Sequence, residues 1–302
     1  LSGVEIGPAH PLVELPDGKL AIAFAVPSAV AVGIWIKIVP ASGTTVSPRQ
    51  VDGTDGTCSS PTITYDGTSI VILWADDDGA GNVQLMGGHF SPDTGLGLDT
   101  PTVLATGPTG TREPRIVWST IRHALVYIDG TDGALHVRSF DGAFTQISES
   151  IVAPPSGHTI LGYPALAWNG SVYGLLWETR GTSSSTMHFA TFAPDETPVE
   201  RDPMSTVSLS SAETGQVALA WADDDSEWGI AWRHARAGRV GISLVRIDAD
   251  TYEIKEGPVD VRPESTTAWH PSVAYNNGYY GFGWIEQAAP IYPMYVSTRG
   301  CP

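Results

Sequence analysis

The chain has 302 residues, with 33 Gly, 23 Pro and 42% apolar side chains, enough apolar mass to bury a core between many turns and too much for a disordered polymer. Sixteen basic against 33 acidic side chains give a formal charge of −17, which repels a phosphate backbone, so no nucleic-acid partner is expected. No apolar run reaches the roughly 20 residues of a membrane-spanning helix, and the two cysteines, Cys58 and Cys301, allow at most one disulfide and no all-cysteine zinc site.

An extended segment, Gly3-Val4-Glu5-Ile6-Gly7, comes first, and a repeat follows. His10-Pro11, Ser60-Pro61, Glu113-Pro114, Tyr163-Pro164 and His270-Pro271 each open an alternating apolar run; Gln216-Val217-Ala218-Leu219 fits the same slot without proline. Units starting near 10, 60, 113, 163, 215 and 270 are spaced by 50 to 55 residues. A second marker, an aromatic residue, ends the next apolar run at Phe24, Trp74, Tyr127, Trp177, Trp232 and Trp284. The fifth unit carries three extra residues between its markers, which the acidic Asp223-Asp224-Asp225 accounts for as a longer turn.

Within a unit the apolar period is two, as in Ile63 and Tyr65, then Ile70, Ile72 and Trp74, then Val83 and Leu85, with a more polar fourth run near Val103. β-Branched and aromatic residues fill these runs, and dipeptides such as Asp66-Gly67 and Asn169-Gly170 close the hairpins. Four antiparallel strands repeated six times predict an all-β fold, a six-bladed β-propeller in a single domain, with the marker aromatics as wedges between blades. The sixth unit lacks room for a fourth strand, so residues 3–7 are expected to complete it and close the ring. Closure puts Cys58 and Cys301 on non-neighbouring blades and predicts two free thiols, because a disulfide needs Cα atoms within about 7 Å.

Segments such as Tyr163-Pro-Ala-Leu-Ala-Trp-Asn-Gly-Ser-Val-Tyr-Gly-Leu-Leu-Trp177 and their counterpart from His270 to Trp284 resemble the propeller repeats of exported bacterial, particularly myxobacterial-type, lipoproteins. The resemblance implies architecture and leaves activity open. It agrees with three lysines beside thirteen arginines and a surface of Asp, Thr, Ser and Gly, from which a secreted, periplasmic or cell-surface location is expected, with any signal segment removed.

Loops before the first strand and after the second share one face of a propeller, around the channel mouth, which is the default ligand site. His10 and His270 should be neighbours there, and with Glu113 they form a candidate set for Zn, Cu or Fe, since imidazoles plus a carboxylate suit these ions. The competing expectation is that both histidines only precede proline and bond to nearby loops. Tyr163 and Trp269 offer stacking surfaces for a sugar ring, and Asp129, Glu178, Arg233 and Glu286 offer charged contacts; solvated loops explain each equally well. Asp52-Gly-Thr-Asp-Gly56 and Asp129-Gly-Thr-Asp-Gly133 are calcium-like in spacing but lack the EF-hand length, so turns are favoured.

Ser139-Phe140-Asp141-Gly142 does not continue into a sialidase-type Ser-x-Asp-x-Gly-x-x-Trp turn, and no nucleophile elbow, phosphate loop or His-Glu-x-x-His pair is present. The preferred expectation is a non-catalytic binding or scaffold propeller for a carbohydrate, small molecule or protein. The alternatives are an enzyme using a metal on His10 and His270, or a carboxylate-driven polysaccharide hydrolase or lyase.

Overall fold

The computed structural model describes residues 12–26, 33–42, 47–52, 58–182, 185–201, 216–236, 239–265, 268–286 and 294–300. Residues 3–7, His10 and Cys301 fall outside this set, so the expected ring closure, the His10 ligand and one of the two thiols lie outside the described residues. Apart from a single 3-10 turn, Pro16–Gly18, the described chain is strand, turn and loop, and it has no helix long and apolar enough to cross a membrane. The strands form six antiparallel sheets, the blades of a six-bladed β-propeller, each built from consecutive strands.

The chain divides into two compact units, Leu1–Ala153 and Pro154–Pro302. The first holds blade one (Leu12–Glu14, Leu20–Val26, Gly33–Val39, Arg49–Asp52), blade two (Cys58–Tyr65, Ile70–Asp77, Asn82–Phe90, Thr102–Pro108) and blade three (Arg112–Trp118, His123–Ile128, Leu135–Phe140, Gln146–Val152). The second holds blade four (Thr159–Trp168, Tyr173–Arg180, Ser185–Phe192, Val199–Arg201), blade five (Val217–Ala222, Glu227–Arg236, Arg239–Asp248, Ile254–Ser265) and three strands of blade six (Ala268–Asn276, Tyr279–Glu286, Met294–Gly300).

Blades are held together by the alternation of the second strand. Ile70, Ile72 and Trp74 pack with blade one through Ala21, Ala23 and Ile36, whereas Val71, Leu73 and Ala75 pack with blade three through Leu125 and Tyr127. The second unit repeats this: Trp228, Ile230 and Trp232 face Leu176 and Met187 of blade four, while Ala231 faces Tyr280 and Phe282 of blade six. All six marker aromatics are buried, none more than 7% exposed, as expected of wedges. Each removes about 200 Å² from water, about 5 kcal/mol of gross transfer free energy at about 25 cal/mol/Å². The fourth strands are the polar ones, with alternating exposure as in Gln146–Val152.

The two sequence markers have one structural cause. In blade two the ladder pairs Ser59 with Ala75 and Thr62 with Leu73, so Ser60-Pro61 is a bulge whose opposite residue is Trp74. Glu113-Pro114 bulges opposite Tyr127, and His270-Pro271 opposite Trp284. Proline suits the bulge because it has no N–H to leave unpaired, and the large ring opposite fills the space where the strand bends away. The residue ahead of proline takes the left-handed conformation, at φ 50 for Ser60, 59 for Glu113 and 52 for His270. In blade four Gly162 adopts it instead, at φ 52, one position before Tyr163.

Blade five corrects the sequence register. Trp221 pairs with Trp228 across six intervening residues, where Trp168 and Tyr173 of blade four are separated by four. The hairpin is therefore two residues longer rather than three, and the slot that opens the unit belongs to Gln216 rather than residue 215.

Candidate functional site

In the first unit the bulge of blade two opens onto a cleft of about 380 Å³, lined by Ser59, Ser60, Asp77, Thr111 and Arg112 among others. Its walls come from the bulged first strand, the end of the second strand and the loop that leads into blade three. Asp77 accepts the Gly79 amide at 2.8 Å through Oδ1, and Arg112 donates to the Gly110 carbonyl at 2.8 Å, so both charged side chains are anchored by their own loops. The cleft thus presents hydroxyls, a carboxylate and a guanidinium within one small volume.

The expected ligand Asp129 lies beside this cleft but is buried, 7% exposed, with Oδ1 accepting the Thr131 amide at 2.7 Å. Gly107 makes room for it, since a Cβ there would stand 3.1 Å from Asp129 Oδ2 and 2.2 Å from Thr111 Oγ1. Asp132 likewise accepts the Ala134 amide, at 2.9 Å. These carboxylates hold the turn from residue 129 to residue 133 together, while most of the matching loop from residue 52 to residue 56 lies outside the described residues. Glu113 sits within 3.7 Å of the Arg115 guanidinium, itself 2% exposed, which gives that buried charge a counterion.

In the second unit Tyr163, Gln216, Arg233 and His270 come together. Tyr163 and Gln216 form a parallel bridge between blades four and five, and the Gln216 side-chain carbonyl accepts the His270 amide at 2.7 Å. The Tyr163 and His270 rings meet edge to face at 6.1 Å. Burial and then the positive Arg233 guanidinium hold the His270 imidazole below its ordinary range, so it is neutral at physiological pH. Tyr163, Arg233 and His270 were all expected at a common site, and these three are assembled within this unit. Gln216 was not singled out, because it occupies the one slot that lacks the proline signal. Trp269 and Glu286 lie in the first two strands of blade six, with side chains outside the described set. Glu178 is 1% exposed, a buried carboxylate rather than a solvated one.

Blade four contains a carboxylate, imidazole and hydroxyl in the order of a nucleophilic triad. Glu200 accepts from His188 Nδ1 at 2.6 Å, leaving Nε2 to accept the Thr179 hydroxyl at 2.8 Å. Thr179 has 0% exposure and the His188 ring stacks on Trp177 at 5.1 Å, so no substrate carbonyl reaches the hydroxyl. The three groups form a polar ladder across three strands, running from the buried Thr179 to the exposed Glu200. Blade five does the same with exchanged residues, His234 to Ser243 at 2.8 Å and Ser243 to Asp260 at 3.1 Å.

No protein-family model matches this chain, and no curated protein does. Solved structures do. The chain is similar to the subtype N10 neuraminidase-like protein of A/little yellow-shouldered bat/Guatemala/060/2010, with 10% identity over 98% of this chain and 96% of that one and a TM-score of 0.64. It is also similar to Trypanosoma rangeli sialidase, 11% identical over 95% of this chain and 53% of that one, TM-score 0.55. A third likeness is to the β-propeller domain of the Trilobed protease from Pyrococcus furiosus, 11% identical over 96% of this chain and 84% of that one, TM-score 0.52. At these identities the likeness establishes the propeller fold and nothing about activity.

Proposed function

We propose that this protein is a non-catalytic, exported binding propeller that holds a hydroxyl-rich ligand, a carbohydrate by class, in the cleft between blades two and three. The observation that carries this reading is the gathering of the Ser59 and Ser60 side chains, the Asp77 carboxylate and the Arg112 guanidinium around that one cleft. The lining supports it: Ser59, Ser60 and Thr111 both donate and accept, Asp77 accepts, and Arg112 donates in a planar fork, a mixture that matches vicinal hydroxyls. A volume of about 380 Å³ falls within the range of small-molecule sites, about 300–1,000 Å³. A sialidase is built on the same fold, and three lysines among 302 residues support an exported protein.

The test is a glycan array followed by calorimetry on each hit. Asp77→Asn and Arg112→Ala should weaken binding at least tenfold with an unchanged melting temperature. Binding indifferent to both substitutions, an array without hits, or release of reducing sugar from a bound glycan would overturn the proposal.

A further inference from the structure

A second site sits at the opposite ends of the strands, between blades two and three. Asp66 lies in the turn between the first two strands of blade two, His89 in its third strand, and His123 at the start of the second strand of blade three. One oxygen of Asp66 and one ring nitrogen of each histidine all stand within 4.8 Å of one another.

Each group is prepared for the same task. His89 Nδ1 is 2.5 Å from Asp99 Oδ2, and the Asp99 Oδ1 accepts the His89 amide at 3.0 Å. In the neutral ring this contact places the proton on Nδ1 and the lone pair on Nε2. That Nε2 is buried and has no hydrogen-bond partner among the described residues. A histidine whose far nitrogen is tied to a carboxylate is the usual arrangement behind a metal ligand, since it fixes the tautomer and raises basicity. Phe144 stacks on the ring at 4.3 Å and keeps it from rotating.

His123 has 0% exposure, and neither ring nitrogen has a hydrogen-bond partner among the described residues. Leaving buried polar atoms unpaired is costly, about 1–3 kcal/mol each, and a bound ligand removes that penalty. Burial pulls its pKa down to about 4, so the imidazole is neutral and able to donate a lone pair at physiological pH. The ring packs against Trp118 at 4.4 Å and faces the His89 ring at 6.4 Å.

Asp66 is fixed by its own turn. Oδ1 accepts the Thr68 amide and hydroxyl, both at 2.8 Å, and the Ser69 amide at 2.7 Å. Oδ2 accepts only the Ser69 hydroxyl, at 2.7 Å, among the described residues, and one of its lone pairs remains for a cation.

From these three side chains we infer a binding site for one divalent transition-metal ion, zinc by preference, with Asp66 Oδ2, His89 Nε2 and His123 as its protein ligands. Two imidazoles and a carboxylate suit this class of ion, whereas calcium and magnesium take oxygen. Zinc–nitrogen bonds of about 2.0–2.1 Å in a tetrahedron set donor atoms about 3.3 Å apart, so binding draws the three groups inward from their present spacing. Three protein ligands leave a fourth position for water. Because the ligands come from two blades, the ion also clamps one blade to the next.

The protein, stripped with a chelator, is titrated with zinc chloride against a chromophoric competitor, and cobalt is used to read ligand geometry by its visible bands. One equivalent should bind, raise the melting temperature and, with cobalt, give a tetrahedral spectrum. His89→Gln and His123→Phe, made separately so that one fold-competent variant suffices, should each weaken binding at least 100-fold. His136→Gln, which removes the imidazole beside Asp129 and Asp132, should leave it unchanged. Full-strength binding in both the His89 and His123 variants, loss of binding in His136→Gln, or no bound zinc in the wild type would overturn the assignment.

Discussion

Glu227 is a carboxylate with 0% exposure at the seam of blades five and six, and its stability rests on a neighbour that can be removed. Arg246 grips it in a two-pronged pair, Nε to Oε1 at 2.5 Å and Nη2 to Oε2 at 2.9 Å, while the Tyr280 hydroxyl of blade six donates to Oε1 at 2.9 Å. Arg246→Met fills similar space but removes both prongs, while the Tyr280 hydroxyl and Lys255, at 3.7 Å, stay among the carboxylate's contacts. Removing one partner of a buried pair costs about 3–5 kcal/mol. Lys255 compensates in part, so the expected loss is about 3 kcal/mol. Glu227→Leu combined with Arg246→Met removes both charges and should recover most of this, ending about 1 kcal/mol below wild type because Glu256, bonded to Arg246 at 3.0 Å, loses that contact. Urea unfolding followed by tryptophan fluorescence, with the four proteins arranged as a double-mutant cycle, measures the coupling. A single Arg246→Met variant within about 1 kcal/mol of wild type, or a double variant as unstable as the single, would refute the reasoning.

Gly229 should not tolerate a methyl group: a Cβ there would stand 2.2 Å from the ring of Tyr280, which is 1% exposed, so Gly229→Ala must part blades five and six. Overpacking of this kind costs about 1–3 kcal/mol, and an unfolding midpoint equal to wild type would contradict it. His270 gives a pH dependence. Burial and Arg233 favour its neutral form in the folded state, so its share of stability is complete above the ordinary imidazole range and is lost as pH falls through that range toward the lower folded value. Arg233→Gln should raise the His270 pKa in an imidazole NMR titration and narrow the loss of stability in acid; an unmoved titration curve would count against the contact.

The architecture was legible because blades two, three, four and six repeat one physical problem and solve it in nearly the same letters. A bulge calls for proline and a ring opposite it, and these leave marks about fifty residues apart that survive variation elsewhere. Blade five escaped accurate reading because its first two strands pair in continuous register from Val217 opposite Trp232, with no bulge and so no proline to mark the slot. Asp66, His89 and His123 were invisible for the opposite reason. They occupy a turn, a third strand and a second strand, so they share no slot in the repeat and no spacing relates them. Glu178 illustrates a third limit, since its position after a marker tryptophan does not reveal on which side of the sheet it is enclosed.

The bulges carry one more implication. Proline already withholds its nitrogen from the ladder, so the amino acid just ahead of it can change without disturbing the backbone pairing that holds a blade together. Ser60, Glu113 and His270 show three different chemistries tolerated in that one socket. A lineage built on this frame could retune what it recognises by exchanging single letters at these sockets, leaving the scaffold's rigidity untouched.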